Sequence, residues 1–147
     1  MLFLIRHGKT KANQEGRYLG YTDEDLTEEG KQEILSLAAS GYYPESDIIF
    51  TSALKRCKTT AALIYPGKQL IEIPEWNEID FGRFEGKTYK ELSGNPEYQA
   101  WIDSGGTIAF PDGESREQFI ERCVSGMEKM IAMLPEGAER ISIVVHG

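Results

Sequence analysis

The sequence contains few residues of the types that most often carry catalysis or hold metals, with two histidines and two cysteines among 147 residues. Cys57 and Cys123 both fall within helical patterns, which predicts reduced core thiols rather than a disulfide framework. Because there is no His-x-x-x-His pair and no cysteine-rich cluster, we expect neither a structural metal site nor a cofactor.

Positive charge is also scarce, with 16 basic against 24 acidic residues and a net charge of −8. An acidic surface repels phosphate backbones, which argues against nucleic acid or an anionic membrane as a partner. Apolar runs are short, since the opening "MLFLI" is broken by Arg6 and His7 and lacks the features of a signal peptide. We therefore expect a cytoplasmic protein whose anionic ligand is held by a local cluster of positive groups.

Several well-known catalytic motifs are absent. "GKT" occurs at residues 8–10 and 86–88, but a phosphate-binding P-loop needs a glycine five residues earlier, where Phe3 and Phe81 stand. A cysteine phosphatase needs an arginine six residues after its cysteine, and Leu63 and Lys129 occupy those positions. The sequence also contains no Gly-x-Ser-x-Gly elbow and no dinucleotide-binding Gly-x-Gly-x-x-Gly.

Strands and helices alternate along the chain. Short apolar runs predict strands at residues 2–5, 47–50, 70–74 and 141–145. Helices are expected from Thr27 to Gly41, over about 53–65, and from a Ser115–Gln118 capping box to Leu134, with short helical stretches at 89–92 and 97–103. This order predicts one α/β domain, residues 1–147, with a three-layer, doubly wound, mostly parallel sheet and helices on both faces.

Ligands of such sheets bind at the carboxyl ends of the strands. Arg6-His7-Gly8 follows the first strand, Thr51-Ser52 the second, Trp76-Asn77-Glu78 the third and His146-Gly147 the last. Both histidines thus follow an apolar strand and precede a glycine, which makes the pair a site candidate. Arg6 and Arg56 offer guanidinium groups suited to phosphate oxygens, and a helix N-terminus near Ser52 would add partial positive charge.

The residues at these strand ends belong to five segments that, taken in order, resemble the signature segments of the histidine phosphatase superfamily, also called phosphoglycerate-mutase-like. The segments are "LIRHGKTKANQEGRYLGYTDEDLTEEG", "TSALKRCKTTAALI", "WNEIDFGRFEGKTYKEL", "FPDGESREQFIERC" and "ISIVVHG". Within that superfamily the chain looks most like the small phosphatase branch that includes α-ribazole phosphatase.

The resemblance implies roles for six residues. His7 would be the nucleophile that forms phosphohistidine, attacking as neutral imidazole with its tautomer fixed by a hydrogen bond. Arg6, Arg56 and His146 would hold the phosphoryl oxygens, and Asn13 matches a polar position that contacts the phosphate. Glu78 would protonate the leaving oxygen and later activate water, with its pKa raised by apolar neighbours; Glu85 is its nearest rival.

The chain also departs from the family pattern. Lys9 replaces the glutamate that is commonest after Arg-His-Gly. The family continues past the second histidine through a further segment, whereas this sequence ends at Gly147, and without that segment we expect an uncovered apolar patch on the sheet. A partner subunit, for example in a homodimer, is one way to cover that patch.

The resemblance predicts a phosphomonoester hydrolase acting on a small phosphorylated metabolite, with α-ribazole 5′-phosphate as one candidate. Residues 84–111 are expected to face the substrate, and aromatic side chains there are candidates for stacking on a base: Tyr89, Tyr98, Trp101 and Phe110. One alternative is a phosphoglycerate mutase, which needs more basic groups between Phe81 and Ser115 than Arg83, Lys87 and Lys90 provide. Another is a non-catalytic phosphate-binding or regulatory module.

Overall fold

A four-stranded parallel sheet organises the computed structural model, which describes residues 1–147. The strand order is β1-β4-β2-β3, and every neighbouring pair is parallel. The strands are β1 (Leu2–Arg6), β2 (Ile48–Thr51), β3 (Leu70–Glu72) and β4 (Ile141–Val145). The helices are α1 (Lys11–Glu15), α2 (Glu28–Ala39), α3 (Lys55–Ile64), α4 (Pro96–Asp103) and α5 (Arg116–Met133).

Helices cover both faces of the sheet, as the sequence predicts. Ile49 of β2 and Val144 of β4 are buried with residues of α2 and α3 in one cluster. Their neighbours Phe50 and Ile143 point to the opposite face, where they pack with Met130 of α5 in a second cluster. This alternation follows from the two-residue period of a strand and confirms the three-layer α/β arrangement.

Most helix boundaries agree with the sequence signals. The Thr27 hydroxyl accepts a hydrogen bond from the Gly30 amide and caps α2. Ser115 and Gln118 form the expected capping box at the start of α5. No helix is both long and apolar enough to cross a bilayer.

Four local predictions were wrong. Strand β3 ends at Glu72 because Pro74 starts a 3₁₀ turn. Helix α3 begins at Lys55, with Leu54 as an N-cap that makes no side-chain cap bond, so no helix N-terminus lies at Ser52. Residues 89–92 form turns rather than a helix. Helix α1 lies within the segment expected to be a polar loop, where Thr10 and Asn13 form a capping box.

One side of α5 borders an open apolar face, which we define by Leu4, Trp76, Phe119, Ile120, Val124 and Val145. These residues line a cavity of about 380 Å³. Leu4 is 72% exposed, Ile120 48% and Val124 51%. The expected uncovered apolar patch is therefore present.

Residues 79–110 contain a separate aromatic cluster. Trp101 stacks on Phe110 with ring centroids 5.0 Å apart, and on Tyr98 with centroids 6.2 Å apart. Phe84 and Phe110 are buried, whereas Tyr89 is 61% exposed. Three of the four aromatic residues predicted to stack on a substrate base thus pack against one another, because their apolar area is better covered by neighbouring rings than by solvent.

Candidate active site

Strand β4 lies between β1 and β2, and this order brings the two histidines together. The His7 amide donates to the Val145 carbonyl (3.0 Å) and the Ser52 amide donates to the Val144 carbonyl (3.2 Å), so both strand ends remain in register with β4. His146 follows β4 and therefore lies between His7 and Ser52. The imidazole rings of His7 and His146 have centroids 5.2 Å apart and an interplanar angle of 63°.

A single hydrogen bond fixes the tautomer of His7. Its Nδ1 lies 2.7 Å from the Gly8 carbonyl oxygen. Because a carbonyl only accepts, Nδ1 carries the proton and Nε2 of the neutral ring keeps its lone pair. Burial, together with the nearby positive charges of Arg56 and Arg6, lowers the pKa of His7 to about 4 despite the opposing effect of the Gly8 carbonyl. His7 is therefore neutral at physiological pH with a free Nε2, as a nucleophile requires.

The loop that follows β1 is held by two helices. The Gly8 amide donates to Thr60 Oγ1 of α3 (2.9 Å), and that hydroxyl donates to the Arg56 carbonyl (2.7 Å). On the other side Gly30 of α2 packs directly on the Lys9 main chain, where a Cβ at Gly30 would lie 2.5 Å from the Lys9 carbonyl oxygen. Only glycine permits this approach, which rigidifies the segment carrying His7.

His146 has a different hydrogen-bonding pattern. Arg56 Nε donates to His146 Nδ1 (3.3 Å), so Nδ1 is unprotonated and the proton of the neutral ring is on Nε2. That Nε2 lies 3.0 Å from Ser52 Oγ and donates to it. Burial, followed by the positive charge of Arg56, lowers the pKa of His146 to about 2. Both of its ring nitrogens are thus occupied by protein groups.

Arg56 is fully buried, and all of its guanidinium nitrogens are used. Besides His146, it donates to the main-chain carbonyls of Thr22 (3.0 Å), Gly20 (2.8 Å) and Leu19 (3.4 Å). Desolvation lowers the pKa of Arg56, and nearby anionic groups, Glu78 among them, oppose the shift. In this arrangement Arg56 holds His146 and the 19–22 loop, so its contact with a phosphoryl oxygen stays a prediction.

Arg6, His7 and Asn13 line one polar cavity of about 450 Å³, together with Gly8, Lys9, Gln14 and Glu29. None of these lining residues is hydrophobic. Asn13 Oδ1 accepts from the Thr10 amide (3.2 Å), which orients its side-chain amide on α1. Two of the four predicted phosphate-binding residues, Arg6 and Asn13, therefore share with the predicted nucleophile His7 a concavity of a size suited to a small anionic ligand, whereas Arg56 and His146 do not line it.

Glu78 does not line the His7 cavity; together with His146 it lines the apolar cavity beside α5. Its Oε1 accepts only from the amide of Ile79 (3.0 Å). Burial raises the pKa of Glu78, and it outweighs the opposing effects of that hydrogen bond and of Arg56, Arg6 and Arg122. A raised carboxyl pKa at this position agrees with the expectation from its apolar neighbours.

Glu85, the other candidate for the catalytic acid, binds main-chain amides of the 19–22 loop. Its carboxylate accepts from the amides of Gly20 and Thr22, each at 2.9 Å. These are the same loop residues whose carbonyls Arg56 binds. Since the oxygens of Glu85 are already bound to the main chain, the geometry favours Glu78 as the group that is free to exchange a proton.

Some residues that shape this site were missed in the sequence analysis. Thr60 holds the His7 loop, Arg122 and Glu114 form a partly buried ion pair, and Ser52 was not predicted to bind His146. Thr60 and Ser52 bind partners more than 40 residues away, and Arg122 binds main-chain carbonyls more than 40 residues away. Glu114 precedes the N-cap of α5 and pairs with Arg122 of that helix. A sequence carries no local signal for such contacts.

Comparisons with known proteins identify the family of this chain. The family model of the histidine phosphatase superfamily (branch 1) matches residues 2–147. This chain belongs to that superfamily.

The state of the cysteines is consistent with the sequence prediction, since Cys57 and Cys123 are both free and Cys57 is buried.

Three relatives illustrate the range of this superfamily. The metal-independent phosphoserine phosphatase of Arabidopsis thaliana is 33% identical over 99% of this chain and 63% of its own length. A 2,3-bisphosphoglycerate-dependent phosphoglycerate mutase of Methylobacterium radiotolerans is 31% identical over 100% of this chain and 74% of its own length. The crystal structure of the α-ribazole phosphatase from Shigella flexneri has a TM-score of 0.85 and 31% identity, covering 99% of this chain and 73% of that one.

Proposed function

We propose that this superfamily member is a phosphomonoester hydrolase that works through a phosphohistidine at His7. The observation that carries the proposal is the 2.7 Å bond from His7 Nδ1 to the Gly8 carbonyl, which leaves the Nε2 lone pair free beside a polar cavity. Arg6 and Asn13 line that cavity and are proposed to bind the phosphoryl oxygens, together with Arg56 and His146. Contact with His146 requires its ring to turn away from Ser52.

In the first step the Nε2 lone pair of His7 attacks phosphorus and the bond from phosphorus to the ester oxygen breaks. Glu78 donates its proton to that leaving oxygen, and such a positioned acid contributes roughly 10²–10⁴-fold to the rate. The raised pKa of Glu78 favours the protonated form that this step needs.

In the second step water attacks the phosphohistidine. The Glu78 carboxylate takes a proton from the water, the nitrogen–phosphorus bond breaks, and inorganic phosphate leaves. His7 returns to its neutral form with Nδ1–H still donated to the Gly8 carbonyl, so the cycle ends with every proton in its starting place.

A phosphatase is favoured over a mutase by the charges on residues 79–115. A mutase must retain a second anionic group, but Arg83 is already paired with Asp112 (2.7 Å) and Glu97 (2.9 Å). Lys87 and Lys90 are the other basic residues in that stretch. Because a mutase is among the relatives, isomerisation remains the second candidate activity.

The substrate is proposed to be a small phosphorylated metabolite whose leaving group is polar. The fully polar lining of the His7 cavity supports this class. Since Tyr98, Trp101 and Phe110 pack together, they offer little support for base stacking, and α-ribazole 5′-phosphate and phosphoserine are equal candidates. The cytoplasmic location and the absence of nucleic-acid partners stay predictions.

Phosphate release by the 147-residue chain and by its His7→Ala variant tests the proposal. The panel contains O-phosphoserine, α-ribazole 5′-phosphate, sugar phosphates and 3-phosphoglycerate. We expect hydrolysis by the wild type and none by His7→Ala. Hydrolysis that survives in His7→Ala contradicts the mechanism, isomerisation of 3-phosphoglycerate faster than its hydrolysis favours the mutase, and phosphate binding without turnover favours a regulatory module.

A further inference from the structure

The main chain that carries Glu78 is held by an arginine of α5. Arg122 Nη1 donates to the carbonyls of Glu75 (2.7 Å) and Asn77 (2.9 Å), and its Nη2 lies 3.4 Å from the carbonyl of Glu78. We propose that Arg122 is the positioning residue for Glu78, fixing the acid by holding the carbonyls of residues 75–78. The proposal rests on the phosphatase function above.

The guanidinium of Arg122 is itself fixed by a carboxylate. Arg122 Nη2 donates to Glu114 Oε2 (2.7 Å) and Nε donates to Glu114 Oε1 (2.9 Å), which makes the pair bidentate. The two side chains are only 18% and 12% exposed. A partly buried, two-point ion pair of this kind sets the plane of the guanidinium as well as its position.

Glu114 also binds the main chain that follows Glu78. Its Oε2 also accepts from the amide of Asp80 (3.3 Å), two residues after Glu78. On the near side, Asn77 Oδ1 accepts from the amide of Ala53 (2.9 Å), which ties the segment to the residues between β2 and α3. The main chain is therefore held immediately before and after Glu78.

The position of the Glu78 side chain depends on how its main chain is held, because the side chain makes few hydrogen bonds itself. Its only hydrogen bond is to the amide of the next residue, Ile79. Arg122 lines neither the polar cavity nor the apolar one, so it acts through the backbone and not on the substrate. A lysine has no planar fork and cannot make the bidentate pair with a carboxylate that sets the plane of the Arg122 guanidinium.

If Glu78 is out of position, hydrolysis slows only for those esters whose leaving oxygen has to be protonated. Nitrophenolate leaves as a stable anion, whereas the oxygen of benzyl alcohol has to be protonated as its bond to phosphorus breaks. Benzyl phosphate and p-nitrophenyl phosphate are similar in size, so the ratio of their kcat/KM values reports on the acid. Because kcat/KM covers the steps through formation of phosphohistidine, the later attack of water does not affect it.

We expect Arg122→Gln to lower kcat/KM for benzyl phosphate about 10- to 100-fold and to change that for p-nitrophenyl phosphate less than about 3-fold. Arg116→Gln is the matched control, since Arg116 is an exposed arginine at the start of the same helix, and it should leave both values unchanged. Equal losses on the two substrates would show a purely structural role and overturn the proposal, as would no loss on either.

A second variant covers the case in which Arg122→Gln does not fold. Glu114→Gln keeps the volume of the side chain but removes the charge that fixes the guanidinium, and it should give the same selective loss on benzyl phosphate at a smaller size. Equal effects on both substrates again overturn the proposal. A wild-type chain that hydrolyses neither these esters nor any phosphate of the metabolite panel, or a His7→Ala variant that hydrolyses both esters normally, instead overturns the proposed function on which the positioning role rests.

Discussion

The ends of β1 and β4 have the same local sequence, an apolar strand followed by His-Gly, yet the two histidines are held in opposite ways. His7 donates from Nδ1 to its own loop and leaves Nε2 free, whereas His146 accepts at Nδ1 from Arg56 and donates from Nε2 to Ser52. The difference comes from strand order, because β1 is at the edge of the sheet and β4 lies between two strands. Identical motifs therefore acquire different chemistry from their neighbours.

The largest difference should appear when each histidine is replaced by glutamine. We expect His7→Gln to lose on the order of 10⁴-fold or more in kcat, because it removes the attacking atom. His146→Gln should lose only about 10²–10³-fold, because it removes one polar contact to the developing charge. Steady-state phosphate release measures both. Equal losses in the two variants would contradict the assignment of separate roles.

The pH dependence of turnover sharpens the same distinction. Activity requires neutral His7, so kcat/KM should fall as pH drops through about 4. It also requires protonated Glu78, so kcat/KM should fall again as pH rises through the raised pKa of that carboxyl. Glu78→Gln should lower the rate about 10²–10³-fold and remove the alkaline decline. An alkaline decline that persists in Glu78→Gln assigns the acid to another residue.

Folding stability should respond to both histidines. Their folded pKa values, about 4 and about 2, lie below the unfolded value of 6.5, so the unfolded chain binds protons that the folded chain does not. Stability therefore declines as pH falls through 6.5, by about 1 kcal/mol for each histidine between pH 6.5 and 5.5, and the slope approaches about 1.4 kcal/mol per pH unit below that range. Urea unfolding at pH 6.5 and 5.5 should show this decline, and His146→Gln should reduce it by about half. An unchanged decline in that variant refutes the buried, neutral state of His146.

The smallest expected effect is that of Ser52→Ala. The variant removes the acceptor for His146 Nε2 and should cost about 1 kcal/mol of stability. It should leave the acid limb of the pH profile in place, because that limb belongs to His7. Thermal unfolding and the pH profile of kcat/KM measure the two effects. A shift of the acid limb in Ser52→Ala would mean that the two histidines titrate as one unit.

These results show which parts of the molecule the sequence predicts well. The strands, helices α2 and α5, and the meeting of His7 with His146 follow from apolar periodicity, capping residues and the rule that parallel strands share a ligand-binding edge. The tautomers of His7 and His146 cannot be predicted in this way, because they depend on hydrogen bonds to the Gly8 carbonyl, Ser52 and Arg56. The hydrogen bonds from Arg122 to the carbonyls of Glu75, Asn77 and Glu78 cannot be predicted from the sequence either, because every residue type has a main-chain carbonyl.

The most direct test of the central claim is to trap and locate the phosphoryl group. The chain is mixed with substrate, denatured within milliseconds at alkaline pH, where phosphohistidine survives, and the modified peptide is sequenced by mass spectrometry with the isomer assigned by NMR. The free Nε2 of His7 predicts phosphate on His7, as the Nε2 isomer, and none in His7→Gln. Phosphate on His146, the Nδ1 isomer at His7, or turnover with no phosphohistidine at any time point would contradict the account.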